Sequence, residues 1–345
     1  MATQPNIVVF MVDTLRGDLL QAKTPHLDEF ASESLVFPNA NSTTPSTRSS
    51  AASLFTGVGP MVHGVRHGKT HMQNYPGAML SAELDKRGYN TLAVVANPNI
   101  DPVFGHARGF EEYITLYKRK MEQPVPAAPS DLVSPAQEVV ESAAEIAGRA
   151  KKPYFLFVLA IDPHAPYGPP GSECQGEQEC YRAEVEYVDR WFGWLLQRLP
   201  SDAVVVFTSD HGEEFGEHGQ WRHGRNVWET STHIPLMIRC GKKGVVTSRV
   251  DLLDLASTIL VLGGGTPPEY WPGRDLTKPI TTRPVVSLWE TWRAVRWEGI
   301  KYLWHENKTV VFDLDQDPAE TKPFRAAPVD DESLIPALRA LGYVE

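Results

Sequence analysis

The chain has 345 residues, of which 42% are hydrophobic and 22% charged. That composition is ordinary for a globular protein and supplies enough apolar material for a large core, so disorder is excluded as the main state. Lys and Arg total 33 against 43 Asp and Glu, a formal net charge of −10 with no basic run, which argues against a nucleic-acid partner.

In chain order, the first apolar run is Asn6-Ile-Val-Val-Phe-Met-Val12. No basic segment or small-residue cleavage site precedes or follows it, and it is far shorter than the roughly 20 residues of a membrane span. The expectation is a soluble, cytoplasmic chain without a membrane partner. Further continuous apolar runs cover 91–96, 154–161, 203–208 and 234–238. Continuous rather than alternating hydrophobicity predicts strands buried on both faces, hence a mostly parallel sheet. Helical patterns lie between them at 134–150, 183–199 and 249–262, the last stopped by Gly263-Gly264-Gly265. The fold class is therefore α/β, with helices on both faces of a central sheet.

Segments 121–130 and 166–179 read as loops. After Pro267 the pattern changes to short, Trp-rich strands at 285–289, 292–297, 301–305 and 309–314. The expected organisation is a catalytic domain over 1–266 and a small antiparallel C-terminal subdomain over 267–345. The three cysteines are Cys174, Cys180 and Cys240. Cys174 and Cys180 flank a short polar loop and could pair under oxidation, whereas in a reducing compartment two unpaired thiols are the default.

Three buried runs end in acids. The first leads into Asp13, the run at 154–161 into Asp162 and then His164, and 203–208 into Asp210-His211-Gly212-Glu213. Ligands of open parallel sheets bind at the carboxyl edge of the strands. Unpaired carboxylates gathered there would repel one another, and a bound divalent cation removes the conflict. Mixed Asp/His ligation suits Zn²⁺ or Mn²⁺ better than an all-oxygen ion site. Asp18 and Asp101 read instead as turn or cap residues, and His63, His106 and His305 as isolated histidines. His218 and His223 crowd the loop downstream of Asp210.

A second element is the hydroxyl-rich stretch from Asn41 to Gly57, which becomes helical near Ser49. A hydroxyl at a helix start is often a plain cap. The same place suits a nucleophile, because free N–H groups and the helix dipole attract an anion there.

These segments resemble the sulfatase-like branch of the alkaline phosphatase superfamily. The similarity runs through Asn6-Ile-Val-Val-Phe-Met-Val-Asp-Thr-Leu-Arg-Gly-Asp18, Thr24-Pro-His-Leu-Asp28, Leu54-Phe-Thr-Gly57 and His63-Gly-Val65. It continues in Ile161-Asp-Pro-His-Ala-Pro-Tyr167, Thr208-Ser-Asp-His-Gly-Glu213, His233-Ile-Pro-Leu-Met-Ile238, Val311-Phe-Asp-Leu-Asp315 and Ala340-Leu-Gly-Tyr-Val-Glu345. The resemblance implies an alkaline phosphatase-like fold and a divalent metal, one or two ions, with Zn or Mn favoured and Ca or Mg possible. It implies Asp13, Asp210 and His211 as ligands.

Sulfatases carry a Cys/Ser-x-Pro-x-Arg motif whose first residue becomes formylglycine. Counting back from Thr56-Gly57, that position is Thr47, and the motif's Pro and Arg fall on Ser49 and Ala51. Threonine cannot become the aldehyde. A Thr nucleophile resembles instead the family's phosphodiesterases, phosphonate monoester hydrolases and phosphoethanolamine transferases; Ser46 is the alternative nucleophile. By that resemblance Thr47 is nucleophile and metal ligand. His164 and His223 bind the transferred group or a second metal, one of them protonating the leaving oxygen. Asp162 is a further candidate for that second site, and Arg48 and Asn97 contact the anion.

The expected function is a metal-dependent hydrolase of phosphate or phosphonate esters, through a covalent phospho-threonine, acting on a small anionic ester. The alternatives are a sulfuric-ester hydrolase lacking formylglycine, a soluble phosphotransferase, or a non-catalytic member of the fold. The oligomeric state is not legible in the sequence.

Overall fold

The computed structural model describes residues 4–66, 70–117, 134–306 and 308–323. Its centre is an eight-stranded sheet in the order Gly244–Val245, Leu35–Val36, Leu236–Arg239, Val204–Ser209, Ile7–Val12, Tyr154–Ala160, Asn90–Val95 and Glu112–Thr115. The last five of these strands run parallel. The Ile7–Val12 strand is fully buried, and its side chains alternate between two cores. Ile7, Val9 and Met11 face the helices Thr47–Thr56 and Leu252–Leu262. Val8, Phe10 and Val12 face Pro25–Ser32, Ala136–Arg149 and Glu177–Leu196. Each strand therefore needs apolar residues at every position, which is why the sequence shows continuous runs.

Four strands, Val285–Trp289, Trp292–Trp297, Ile300–His305 and Lys308–Asp313, form a separate antiparallel sheet. It has its own small core, built on Trp289, Leu303 and Phe312 with Val227. Leu288 N–H donates to the Thr43 carbonyl at 3.0 Å, and Ser287 Oγ to that of Ser42 at 2.6 Å. This sheet thus supports the segment that leads into the Thr47–Thr56 helix.

Three expectations are corrected. The apolar run 234–238 is not one parallel strand. Pro235 has no N–H to donate, and the chain changes sheets there. His233–Ile234 pairs with Ala40–Asn41, and Leu236–Arg239 runs antiparallel to Val204–Ser209. The helix expected over 183–199 starts earlier, at Glu177, where two acids in its first turn favour the positive end of the helix dipole. Cys174 and Cys180 form a disulfide, because Gly176 (φ +76°) turns the chain and leaves their Cα atoms 5.1 Å apart. The expected loop 121–130 and the terminal 340–345 motif lie outside the described residues.

Phe192 joins the layers on one face, with its ring centroid 5.1 Å from Phe10, 5.1 Å from Phe30 and 4.9 Å from Phe207. Phe192→Ala is expected to cost about 3–5 kcal/mol of stability, read from chemical denaturation.

Candidate active site

Strand register builds the site. Val12 lies opposite both Ala160 and Ser209, and Val95 opposite Leu159. Asp13, Asp210 and Asn97 therefore leave the sheet at nearly the same level of its carboxyl edge. Asp13, Asp210 and His211 are wholly buried, and their ligand atoms all lie within 4.8 Å of one another.

Each group is aimed by its surroundings. The N–H groups of Thr14 and His211 donate to Asp210 Oδ1 at 3.1 and 2.8 Å. Asp210 Oδ2 keeps no hydrogen bond and lies 3.4 Å from His211 Nε2. His211 Nδ1 lies 2.9 Å from the Gly212 carbonyl, which can only accept. The proton therefore sits on Nδ1, and the Nε2 lone pair faces the carboxylates, as a metal-ligating imidazole requires. Glycine at 212 is a packing necessity, because a Cβ would lie 2.0 Å from the Thr230 carbonyl oxygen.

Burial dominates the electrostatics of the site. Burial, then the neighbouring Asp210, hold Asp13 well above the usual carboxylate range. Burial raises Asp210 to about 6 and depresses His211 to about 3. Two buried carboxylates and a neutral imidazole, one oxygen lacking any hydrogen bond, fit a divalent cation with mixed N/O ligation.

Thr47 is the first residue of its helix, after the extended Ser46. Its Oγ1 lies 3.3 Å from His211 Nε2 and 3.5 Å from Asp13 Oδ1. Several other hydroxyls of the segment are engaged elsewhere, while the buried Thr44 hydroxyl has no hydrogen-bond partner. Ser42 and Ser50 donate to the Thr44 carbonyl, and Thr43 donates to Ser53, which pairs with His63. No hydrogen bond of the Ser46 side chain is described. Asn97 Nδ2 donates to Asp13 and, at 3.4 Å, to Thr47 Oγ1. Arg48 is directed to Asn99, with its Nε 3.2 Å from that carbonyl and its guanidinium 3.6 Å above the Phe104 ring.

A histidine pair completes the wall. The His223 ring centroid lies 4.6 Å from that of His211 and 4.9 Å from that of His164. His164 Nδ1 donates to the Ala165 carbonyl at 2.6 Å, and burial, then His223, push this histidine down to about 4. His223 Nδ1 lies 3.0 Å from the buried carboxylate of Glu213, which also accepts from the Tyr167 hydroxyl at 2.7 Å. Glu213 is a residue the sequence reading passed over, although it ends the Asp-His-Gly-Glu motif.

Asp162 is placed otherwise than expected. Its carboxylate accepts from Ala136 N at 2.7 Å, at the start of the Ala136–Arg149 helix, and no third ligand joins it among the described residues. It serves as a helix cap, the commoner fate of a strand-end Asp. His218 likewise turns away, to Glu214 at 2.8 Å and onto the Trp228 ring at 4.2 Å.

The raised carboxylates give a pH-dependent signature. A carboxyl whose pKa is higher folded than unfolded binds more protons in the folded state between the two values. The metal-free chain should therefore lose stability as pH rises from about 4 through about 6, the value to which Asp210 is raised. A divalent ion should raise the melting temperature strongly at pH 7.5 and little at pH 5, where protons hold the ligands. Asp210→Asn should weaken metal binding by at least the roughly 10–100-fold that outer-shell losses cost, measured by calorimetric titration.

A family model described as Sulfatase matches residues 5–265. The chain is 25% identical to an arylsulfatase of Clostridium perfringens, over 92% of this chain and 89% of that protein. It is 28% identical to an ulvan-active sulfatase of Formosa agariphila, over 81% of this chain and 65% of that protein. Among solved structures, a protein in the alkaline phosphatase superfamily from Vibrio parahaemolyticus superposes with a TM-score of 0.76 at 19% identity, covering 99% of this chain and 87% of the other. The phosphonate monoester hydrolase of Agrobacterium radiobacter does so with a TM-score of 0.74 at 19% identity, covering 98% and 94%. The structural likenesses speak for the shared fold, while the family model spans most of the chain, and on that ground the chain belongs to the Sulfatase family.

Proposed function

We propose that the chain is a metal-dependent ester hydrolase with Thr47 as nucleophile, and that its substrates are sulfuric esters. The observation that carries the mechanism is the placement of Thr47 Oγ1 at a helix start, 3.3 Å from His211 Nε2 and 3.5 Å from Asp13 Oδ1. Family membership and the sulfatase relatives favour sulfate, reversing the order that the sequence suggests. Phosphate or phosphonate esters are the second reading, supported by threonine at the position where sulfatases need a residue convertible to formylglycine.

Asp13, Asp210 and His211 would hold the divalent ion, with Thr47 Oγ1 beside them. When bound, that ion supplies Lewis-acid polarisation and favours the ionised hydroxyl. Thr47 Oγ, its proton lost to solvent, attacks the central sulfur, the bond to the leaving oxygen breaks, and that oxygen takes a proton from His223. Water then attacks the same sulfur and the bond to Thr47 Oγ breaks; one water proton restores the Thr47 hydroxyl, the other returns to His223, and sulfate leaves. Glu213 holds His223 with its Nδ1 turned inward to the protein, so the other nitrogen is presented to the leaving group. Asn97 orients Asp13 and Thr47. The Cys174–Cys180 disulfide favours an oxidising compartment over the cytoplasm expected from the sequence.

The test is a panel of nitrophenyl sulfate, phosphate, phosphate diester and phosphonate, run on metal-stripped protein with Zn²⁺, Mn²⁺ or Ca²⁺ restored. Sulfate should give the highest kcat/KM; a clear preference for a phosphorus ester would install the second reading. Thr47→Ala should lower turnover by about 10³-fold or more with metal content unchanged. Near-full turnover in that variant would refute the nucleophile.

A further inference from the structure

Glu213 and His223 stand at the open end of a short hairpin, the first just before the strand Glu214–Phe215 and the second just after Trp221–Arg222. Two residue pairs, Glu214 with Arg222 and Phe215 with Trp221, make up the ladder. So short a hairpin is marginal by itself. The setting of His223 must therefore be fixed by contacts from outside the ladder.

Arg222 supplies them from a strained backbone. Its φ is +72°, in the left-handed region where a Cβ crowds the chain and glycine is at ease. A side chain kept there needs contacts that offset the strain. One set faces outward: Nη1 lies 3.0 Å from Glu177 Oε2, and Nη2 meets Oε1, a two-pronged fork. Glu177 lies inside the loop that Cys174–Cys180 closes, so the far end of the fork is also tied. The two side chains are 36% and 43% exposed, however, and an ion pair so open adds little stability by itself.

The other set leads inward. The guanidinium carbon lies 4.9 Å from the Tyr167 ring centroid, and Nη1 also donates to the Tyr167 hydroxyl at 3.3 Å. That hydroxyl donates to Glu213 Oε2 at 2.7 Å, and Glu213 Oε1 accepts from His223 Nδ1 at 3.0 Å. His223 follows Arg222 in the chain, so the path closes on itself. It also has one direction. Arg222 can only donate, which turns the Tyr167 proton toward Glu213. Burial works against ionising Glu213, and the bonds from His223 and Tyr167 outweigh it, holding its pKa below the usual carboxylate value. Hydrogen bonds in series strengthen one another. The Nδ1 proton of His223 is thereby held inside the ring of contacts, and Nε2 is left outside it.

We infer that Arg222 is a positioning residue: through Tyr167 and Glu213 it fixes the His223 imidazole with Nε2 turned to the leaving oxygen. For its effect on turnover the inference rests on the ester-hydrolase reading. Two variants of the full-length protein break the path at different points. Arg222→Gly removes the fork and suits the left-handed backbone, and Tyr167→Phe removes the relay and leaves the fork. A good leaving group departs with little help from an acid, so nitrophenyl sulfate should keep its kcat within about threefold in both. Phenyl sulfate, a poorer leaving group, should lose about tenfold or more in kcat with KM within about twofold. His223→Gln should show the same selectivity, and adding Arg222→Gly to it should cost nothing further. Equal losses on the two esters, or a full additional loss in the double variant, would overturn the inference. Histidine labelled with 15N gives a readout independent of turnover. Wild type should show an exchange-protected Nδ1–H of His223, assigned by its disappearance in His223→Gln, and both path variants should lose that protection. Absence of the protected proton from wild type, or its persistence in Arg222→Gly, would overturn the positioning. Its loss in both variants, together with no ester hydrolysed by wild type, would uphold the positioning and reject the hydrolase reading.

Discussion

Two carboxylates buried side by side, Asp13 and Asp210, set the terms for the rest of this molecule. Burial raises the pKa of both, and Asp210 makes Asp13 harder still to ionise. The surrounding groups offset that cost only in part. Backbone N–H groups satisfy one oxygen of Asp210, the Asn97 amide satisfies Asp13, and the other Asp210 oxygen faces an imidazole lone pair. A divalent cation would complete the balance, and the start of the Thr47 helix adds a positive field beside it. A chain that is acidic overall thereby builds a local place for an anion.

Holding that arrangement takes more of the fold than the strands that carry it. Gly212 N–H donates to the Ser231 carbonyl, and Ser42 N–H to the Thr232 carbonyl, so one short turn at Glu229–Thr232 grips both the loop after Asp210 and the approach to Thr47. Glu229 anchors that turn. Burial would raise its pKa, but the buried Arg296 and Lys301 of the antiparallel sheet hold it well below the carboxylate range. Lys301 also pairs with the buried Glu320. Breaking one member of such a network leaves uncompensated buried charge, which is far costlier than losing a surface pair. The small C-terminal sheet is thus mechanically part of the site although it contributes none of the ligands.

Much of the scaffold was legible because the physics is local. Continuous apolar runs mean strands buried on both faces, and the alternation of Ile7, Val9 and Met11 with Val8, Phe10 and Val12 between two cores follows from the two-residue period. The site was legible as strand-end acids beside Asp-His-Gly-Glu. The misreadings have a common origin in partners distant along the chain. Asp162 and Asp13 end strands alike, yet Asp162 meets the N–H of Ala136 and becomes a cap. Glu213 ends the Asp-His-Gly-Glu motif, but its role shows only where Tyr167 and His223 converge on it. Pro235 was visible, but its consequence, a change of sheet, depended on which strands were available to pair.

The sequence by itself determined the α/β class, the acids and imidazoles that end the buried strands, and the threonine where sulfatases carry a convertible residue. Those are matters of side-chain chemistry and of hydrophobic period, which neighbours along the chain dictate. Only the tertiary structure decided which hydroxyl of a crowded Ser/Thr segment faces the carboxylates, and which strand-end acid is a cap. These depend on register across the sheet and on contacts between residues up to hundreds of positions apart, and no local pattern encodes them.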